Sequence, residues 1–114
     1  MDEEKRIQWV GSSYNDIMKF PLSARKESGF QLGRIQNGLE PHDWKPFDDI
    51  GPGVKEIRVK DIDGIFCVFY VAKFQEAVYV LHCFQKKTQA TSKHDKDLAS
   101  ARYMAVIRQR KETK

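Results

Sequence analysis

"IFCVFYVAKFQEAVYVLHCF", residues 65–84, decides the fold. Two nearly continuous apolar runs, 65–72 and 77–84, flank the short polar break "KFQE". Runs of this kind are expected for central strands covered on both faces. A break this short fits a tight hairpin, so the two strands are antiparallel. Just upstream, "KEIRVK" (55–60) alternates polar and apolar. Ile57 and Val59 then share one side and Arg58 faces away from them.

Working outward, "RIQWV" (6–10) reads as a short strand closed by Gly11. "SSYNDIMKF" follows, with Ser13 three residues before Asp16, a helix-start pattern. Pro21 breaks this helix or opens the next, which spans 21–37 with Leu22, Leu32 and Ile35 as anchors and Gly38 as its stop. Gly29 and Gly33 weaken that helix. Residues 38–53 form a long connection punctuated by Pro and Gly, expected to pack on the core through Leu39, Trp44, Phe47 and Ile50. Ser92, three before Asp95, starts a C-terminal helix with Leu98, Ala101, Tyr103 and Ala105 as its apolar stripe. Arg108 to Lys114 reads as a frayed basic tail. The expectation is one α+β domain over 1–114, a small, mainly antiparallel sheet with its first strand at the edge and its helices on one face.

The chain has 114 residues and a net charge of +4, unevenly divided. Residues 1–57 hold eight Lys/Arg against ten Asp/Glu, whereas 58–114 hold twelve against six. Such asymmetry points to nucleic acid or an acidic partner. No apolar run approaches the ~18 residues of a membrane helix, and "MDEEKRIQW" is too charged for a secretion signal. A cytoplasmic protein without membrane partners is expected. Cys67 and Cys83 lack zinc-ligand spacing and disulfide-scaffold density.

There is no P-loop, GxGxxG, GxSxG, HExxH or paired CxxC, and His42, His82 and His94 are scattered. No metal or cofactor is expected. His82, near the end of an apolar strand, reads as a hydrogen-bonded core residue, or as a general acid or base if that face lines a cleft. Arg58, Lys60, Lys86 and Lys87 are more informative. If both outer strands border 65–71, these cations gather over one face, within reach of one phosphodiester. They would bind phosphate and stabilise the extra charge of a pentacoordinate transition state in RNA cleavage. Tyr70 and Phe84 would offer stacking surfaces to bases. The same cations also read as ordinary solvated strand ends.

"RIQWVGSSYNDI", the long stretch from "FPLSARKESGF" to "GVKEIRV", "FYVAKFQEAVYVLHCFQKKTQATSKHD" and "LASARY" together resemble the phage-related, HigB-like branch of the RelE/ParE toxin superfamily. The resemblance covers roughly residues 6–103, including the GLEP-DWKP loop and the LH-F-KKTQ-T-K segment. It implies a compact twisted sheet with an N-terminal helical hairpin on one face and a C-terminal helix. It also implies the toxin of a type II toxin–antitoxin pair, neutralised by a helix-turn-helix antitoxin through which alone it would meet DNA. RelE and HigB relatives cleave mRNA on the ribosome without metal, using the RNA's own 2′-hydroxyl; ParE relatives inhibit gyrase instead. By position, Arg58 matches the strand arginine of the family's "ELR" segment and Lys86–Lys87 its basic pair. His82 and Lys93 lie in the matched LH-F-KKTQ-T-K segment, and Lys93 is a further RNA-binding candidate. Cys67 stands where the family's "YRVFY" has an arginine, so the resemblance also allows a weakened toxin that mainly binds its antitoxin.

Overall fold

The computed structural model describes residues 4–113. The elements are β1 (Arg6–Trp9), α1 (Ser13–Met18), α2 (Leu22–Gln36), β2 (Trp44–Pro46), β3 (Val54–Asp61), β4 (Gly64–Val71), β5 (Ala77–Lys86) and α3 (Lys93–Glu112). The strands make one five-stranded sheet in the order β1-β5-β4-β3-β2. Strands β2 to β5 pair antiparallel in succession, and β1 joins β5 in parallel at the opposite edge. This is the α+β, mainly antiparallel architecture expected from the sequence. The connection 38–53 adds the short edge strand β2 and buries Phe47 and Ile50, while Leu39 and Trp44 stay largely outside the core.

The helices do not share one face, which corrects the expectation. Ile17, Phe20, Ala24, Leu32 and Ile35 of the α1–α2 segment pack on Ile57, Val59, Phe66, Val68, Val78 and Val80. Ala99, Tyr103 and Val106 of α3 cover the other face, against Cys67, Phe69, Tyr79 and Leu81. The cause lies in β4 and β5, which are apolar at nearly every position. Each large apolar side chain left in water would forfeit about 1.5–3 kcal/mol, so both faces need a cover.

Other details of the helices also differ from the local pattern. Ser13 is buried within α1 and donates to the Val80 carbonyl at 3.0 Å, while Ser12 precedes the helix and bonds Asp16 at 2.7 Å. Leu22 points outward, and Ala24, Leu32 and Ile35 anchor α2 instead. The buried stripe of α3 is Ala99–Tyr103–Val106, with Ala101 exposed. Ser92 does cap α3, accepting from the Asp95 backbone N–H at 3.1 Å. The expected frayed tail is helical through Glu112, where the Arg110 guanidinium lies 3.8 Å from the Phe74 ring centre and pairs with Glu76; Lys114 lies outside the described residues.

One irregularity positions the site. Phe69 pairs with His82 but Tyr70 pairs with Val80, so Leu81 is an extra residue in β5. This bulge resets the alternation. Val78, Val80 and Cys83 face α1 and α2, whereas Leu81, His82 and Phe84 all serve the α3 face.

Candidate nucleic-acid interface

Beyond the bulge, strand register lines up three rows across the α3 face of the sheet. They are Glu56–Phe69–His82, Arg58–Cys67–Phe84 and Lys60–Ile65–Lys86. Adjacent strands lie about 4.8 Å apart, so each row spans roughly 10 Å. Arg58, Lys60, Lys86 and Lys87 line one open cleft of about 560 Å³, together with Thr88 and Gln89 of the following loop. The four cations expected to converge are therefore together.

Beneath them sits Glu56, a residue that the sequence reading left without a role. Its side chain is fully buried. Oε1 accepts from Arg58 Nε at 3.3 Å and lies 3.6 Å from Lys86 Nζ, and Oε2 accepts from the Thr91 hydroxyl at 2.9 Å. A buried carboxylate is tolerable only when its oxygens are satisfied in this way. The Lys86 side chain is itself only 4% exposed. Lys60 and Lys87, by contrast, reach solvent.

Cys67 lies in the middle row, fully buried under the cations. Burial, and then the Glu56 carboxylate, push its thiol up to about 12, against the pull of Lys86 and Arg58. It is a neutral group that lends no charge to the cleft. His82 is held below its ordinary pKa by burial, with Asp95 pulling the other way. Its Nε2–H donates to Asp95 Oδ1 at 2.7 Å, since a carboxylate can only accept. Nδ1 is buried without a partner. The imidazole thus ties β5 to the first turn of α3; it does not line the cationic cleft, but it borders a separate opening with Asp16, Lys19 and Phe84.

The proposed base platforms are corrected. Tyr70 is 1% exposed and packs under α1 and α2, on the face opposite Arg58, with its hydroxyl unpartnered. Phe84 is 9% exposed; its ring stacks on His82 with centres 4.9 Å apart and belongs to the α3-side core. Neither offers a face to a base. Lys93 is exposed at the start of α3, bonded to Asp97 at 2.7 Å, and lines a separate cleft with Thr91 and Lys96. Among the described residues, no group of three His, Cys, Asp or Glu is placed to hold a metal ion. No described helix is long and apolar enough to cross a membrane.

A small α+β domain with a cationic cleft across its sheet is the class that this geometry defines. The sequence model of the phage-derived, Gp49-like protein family (DUF891) matches residues 15–104, most of the chain. The protein belongs to that family, which is of the toxin–antitoxin type and related to RelE/HigB-type toxins. No curated protein matches the sequence.

Proposed function

We infer that the protein is the toxin of a type II toxin–antitoxin pair of the HigB-like branch, acting in the cytoplasm as a ribosome-dependent mRNA endoribonuclease. The observation that carries this reading is the gathering of Arg58, Lys60, Lys86 and Lys87 around one cleft wide enough for a phosphodiester. In the proposed reaction the RNA 2′-oxygen attacks phosphorus and the bond to the 5′-oxygen breaks. A 2′,3′-cyclic phosphate and a free 5′-hydroxyl result: the 2′-hydroxyl proton passes to water, and the departing 5′-oxygen takes a proton from water. Arg58 and the lysines stabilise the doubly charged transition state. Its partners are the ribosome with its mRNA and a helix-turn-helix antitoxin, whose acidic groups would neutralise the basic half of the chain.

A second reading rests on a specific observation. Among the described residues, the lining of this cleft holds no carboxylate and no imidazole, Glu27 and His42 lying instead in the adjoining opening that Arg58 and Lys60 also line, and Cys67 beneath it is neutral. That set binds phosphate better than it moves protons, as suits a protein that binds antitoxin, or gyrase, without cutting RNA. Induction of the gene alone, with 5′-end mapping of a reporter mRNA and a ribosome-free control, separates the two. Ribosome-dependent cuts that vanish in Arg58→Ala support the nuclease. Intact message with normal growth supports the binding protein, and intact message with DNA-damage signalling supports gyrase inhibition.

A further inference from the structure

We propose that Glu56 is the positioning residue of the cationic cleft: it holds Arg58 and Lys86 side by side and, through Thr91, fixes the loop that lines the cleft's side. The inference deepens the reading above and rests on the cleft's binding of phosphodiester. Two features make Glu56 more than a local ion-pair partner. A single oxygen, Oε1, faces two cations, Nε of Arg58 at 3.3 Å and Nζ of Lys86 at 3.6 Å. One negative charge against two positive ones leaves a surplus directed at the cleft. The other oxygen accepts from Thr91, 35 residues away and at the far end of the loop that carries Lys87, Thr88 and Gln89.

Glu56 is placed to orient rather than to exchange protons. It is fully buried, it is absent from the cleft lining, and both its oxygens face donors. An attacking hydroxyl has no path to it. Arg58 gains the most from such support. Its guanidinium is joined to Glu56 through Nε, and among the described residues the two terminal nitrogens make no hydrogen bond, which suits them to the bidentate contact that a phosphate accepts. Without the carboxylate, the Arg58 and Lys86 charges repel each other and spread apart.

This role predicts a result opposite to simple charge counting. Glu56→Gln raises the net charge by one, so a carboxylate that merely sat nearby would, on removal, tighten RNA binding and steepen its salt dependence. A positioning carboxylate would, on removal, weaken it. The probe is a short fluorescein-labelled single-stranded RNA titrated at several salt concentrations. Arg58→Ala is expected to cost about tenfold in affinity in the wild-type background and less than about threefold in Glu56→Gln, the non-additivity of coupled residues. In parallel, NMR hydrogen exchange of the Arg58 Nε–H reads the hold directly, slow in wild type and accelerated about tenfold in Glu56→Gln. Tighter RNA binding in Glu56→Gln with an unchanged Arg58→Ala cost overturns the proposal, as does an Nε–H indifferent to the substitution. Wild type that binds no RNA but keeps a protected Nε–H overturns the phosphodiester reading while supporting the hold of Glu56 on Arg58. If Glu56→Gln fails to fold, Thr91→Val leaves both cation contacts and removes only the loop tether. It should weaken RNA binding about two- to threefold, roughly the loss of one hydrogen bond's orientation, and no change would overturn the loop's part.

Discussion

Among the described residues, two arginine–glutamate pairs are built to different plans. At the β4–β5 turn, Arg110 Nε donates to Glu76 Oε2 at 2.6 Å and Nη2 to Oε1 at 3.3 Å, with the guanidinium stacked over Phe74. One cation meets one anion, both oxygens are engaged, and the charge is closed. Beneath the cleft, Glu56 divides one charge between Arg58 and Lys86 and gives its second oxygen to a hydroxyl. The first pair fastens the end of α3 to the sheet. The second leaves positive charge unspent, the arrangement required where an anion is to arrive.

Truncating the two glutamates should break the comparison most sharply. Glu56→Ala strands the Lys86 ammonium in a site only 4% exposed, a loss of the type that costs about 3–5 kcal/mol. Glu76→Ala frees a guanidinium that solvent already reaches, and should cost only a small fraction of that. Urea unfolding of both variants decides it; equal destabilisation would mean that the pairs are not differently built.

Removing the arginines sharpens the same contrast in function. Arg58→Ala and Arg110→Ala change the net charge equally, yet only the first should weaken RNA binding, by about tenfold for a lost phosphate contact. Equal losses would reduce the cleft to general electrostatics.

How far these features were legible depends on the range of the interactions behind them. The β4–β5 hairpin, β3 and the start of α3 follow from local patterns: two apolar runs around "KFQE", the alternation at Ile57 and Val59, and Ser92 before Asp95. The face taken by α3 did not follow, because strands apolar on both sides favour neither. Strict alternation from Val78 and Val80 would place His82 under α1 and α2; the extra residue Leu81 turns it to Asp95 instead. The convergence of Arg58, Lys60 and Lys86 was legible from strand parity. Glu56 shares that parity, but its partners include Lys86 and Thr91, the latter 35 residues away, which no local pattern reveals. Tyr70 and Phe84 show the converse error, since an aromatic in a strand apolar on both sides belongs to the core unless a face is left uncovered.

Cys67 links the pairs to the family resemblance. It sits between Arg58 and Phe84 in the middle row, at the position where the sequence resemblance would put an arginine. Cys67→Arg would bring a third cation over Glu56 and into the cleft floor, so growth inhibition on induction should rise severalfold at equal protein level, the effect of one added charge-assisted contact. Unchanged growth from a folded variant would show that the thiol is not what limits toxicity.

The smallest expected effect concerns pH and the closed pair. The Arg110 hydrogen bond, opposed by slight desolvation, lowers the Glu76 carboxyl from 4.5 to about 2. A carboxyl with a depressed folded-state pKa binds protons more readily in the unfolded chain, so its stabilisation is complete above pH ~4.5 and is lost as the pH falls towards 2. Glu76→Gln should therefore flatten stability against pH between about 4.5 and 2 and leave the profile near neutrality unchanged. Because both side chains reach solvent, the difference should be modest and should shrink further in high salt. Denaturant unfolding of wild type and Glu76→Gln across that window reads it; parallel profiles would mean that the two-toothed contact with Arg110 does not hold its proton off in solution, and the closed pair would then be no tighter than the open one.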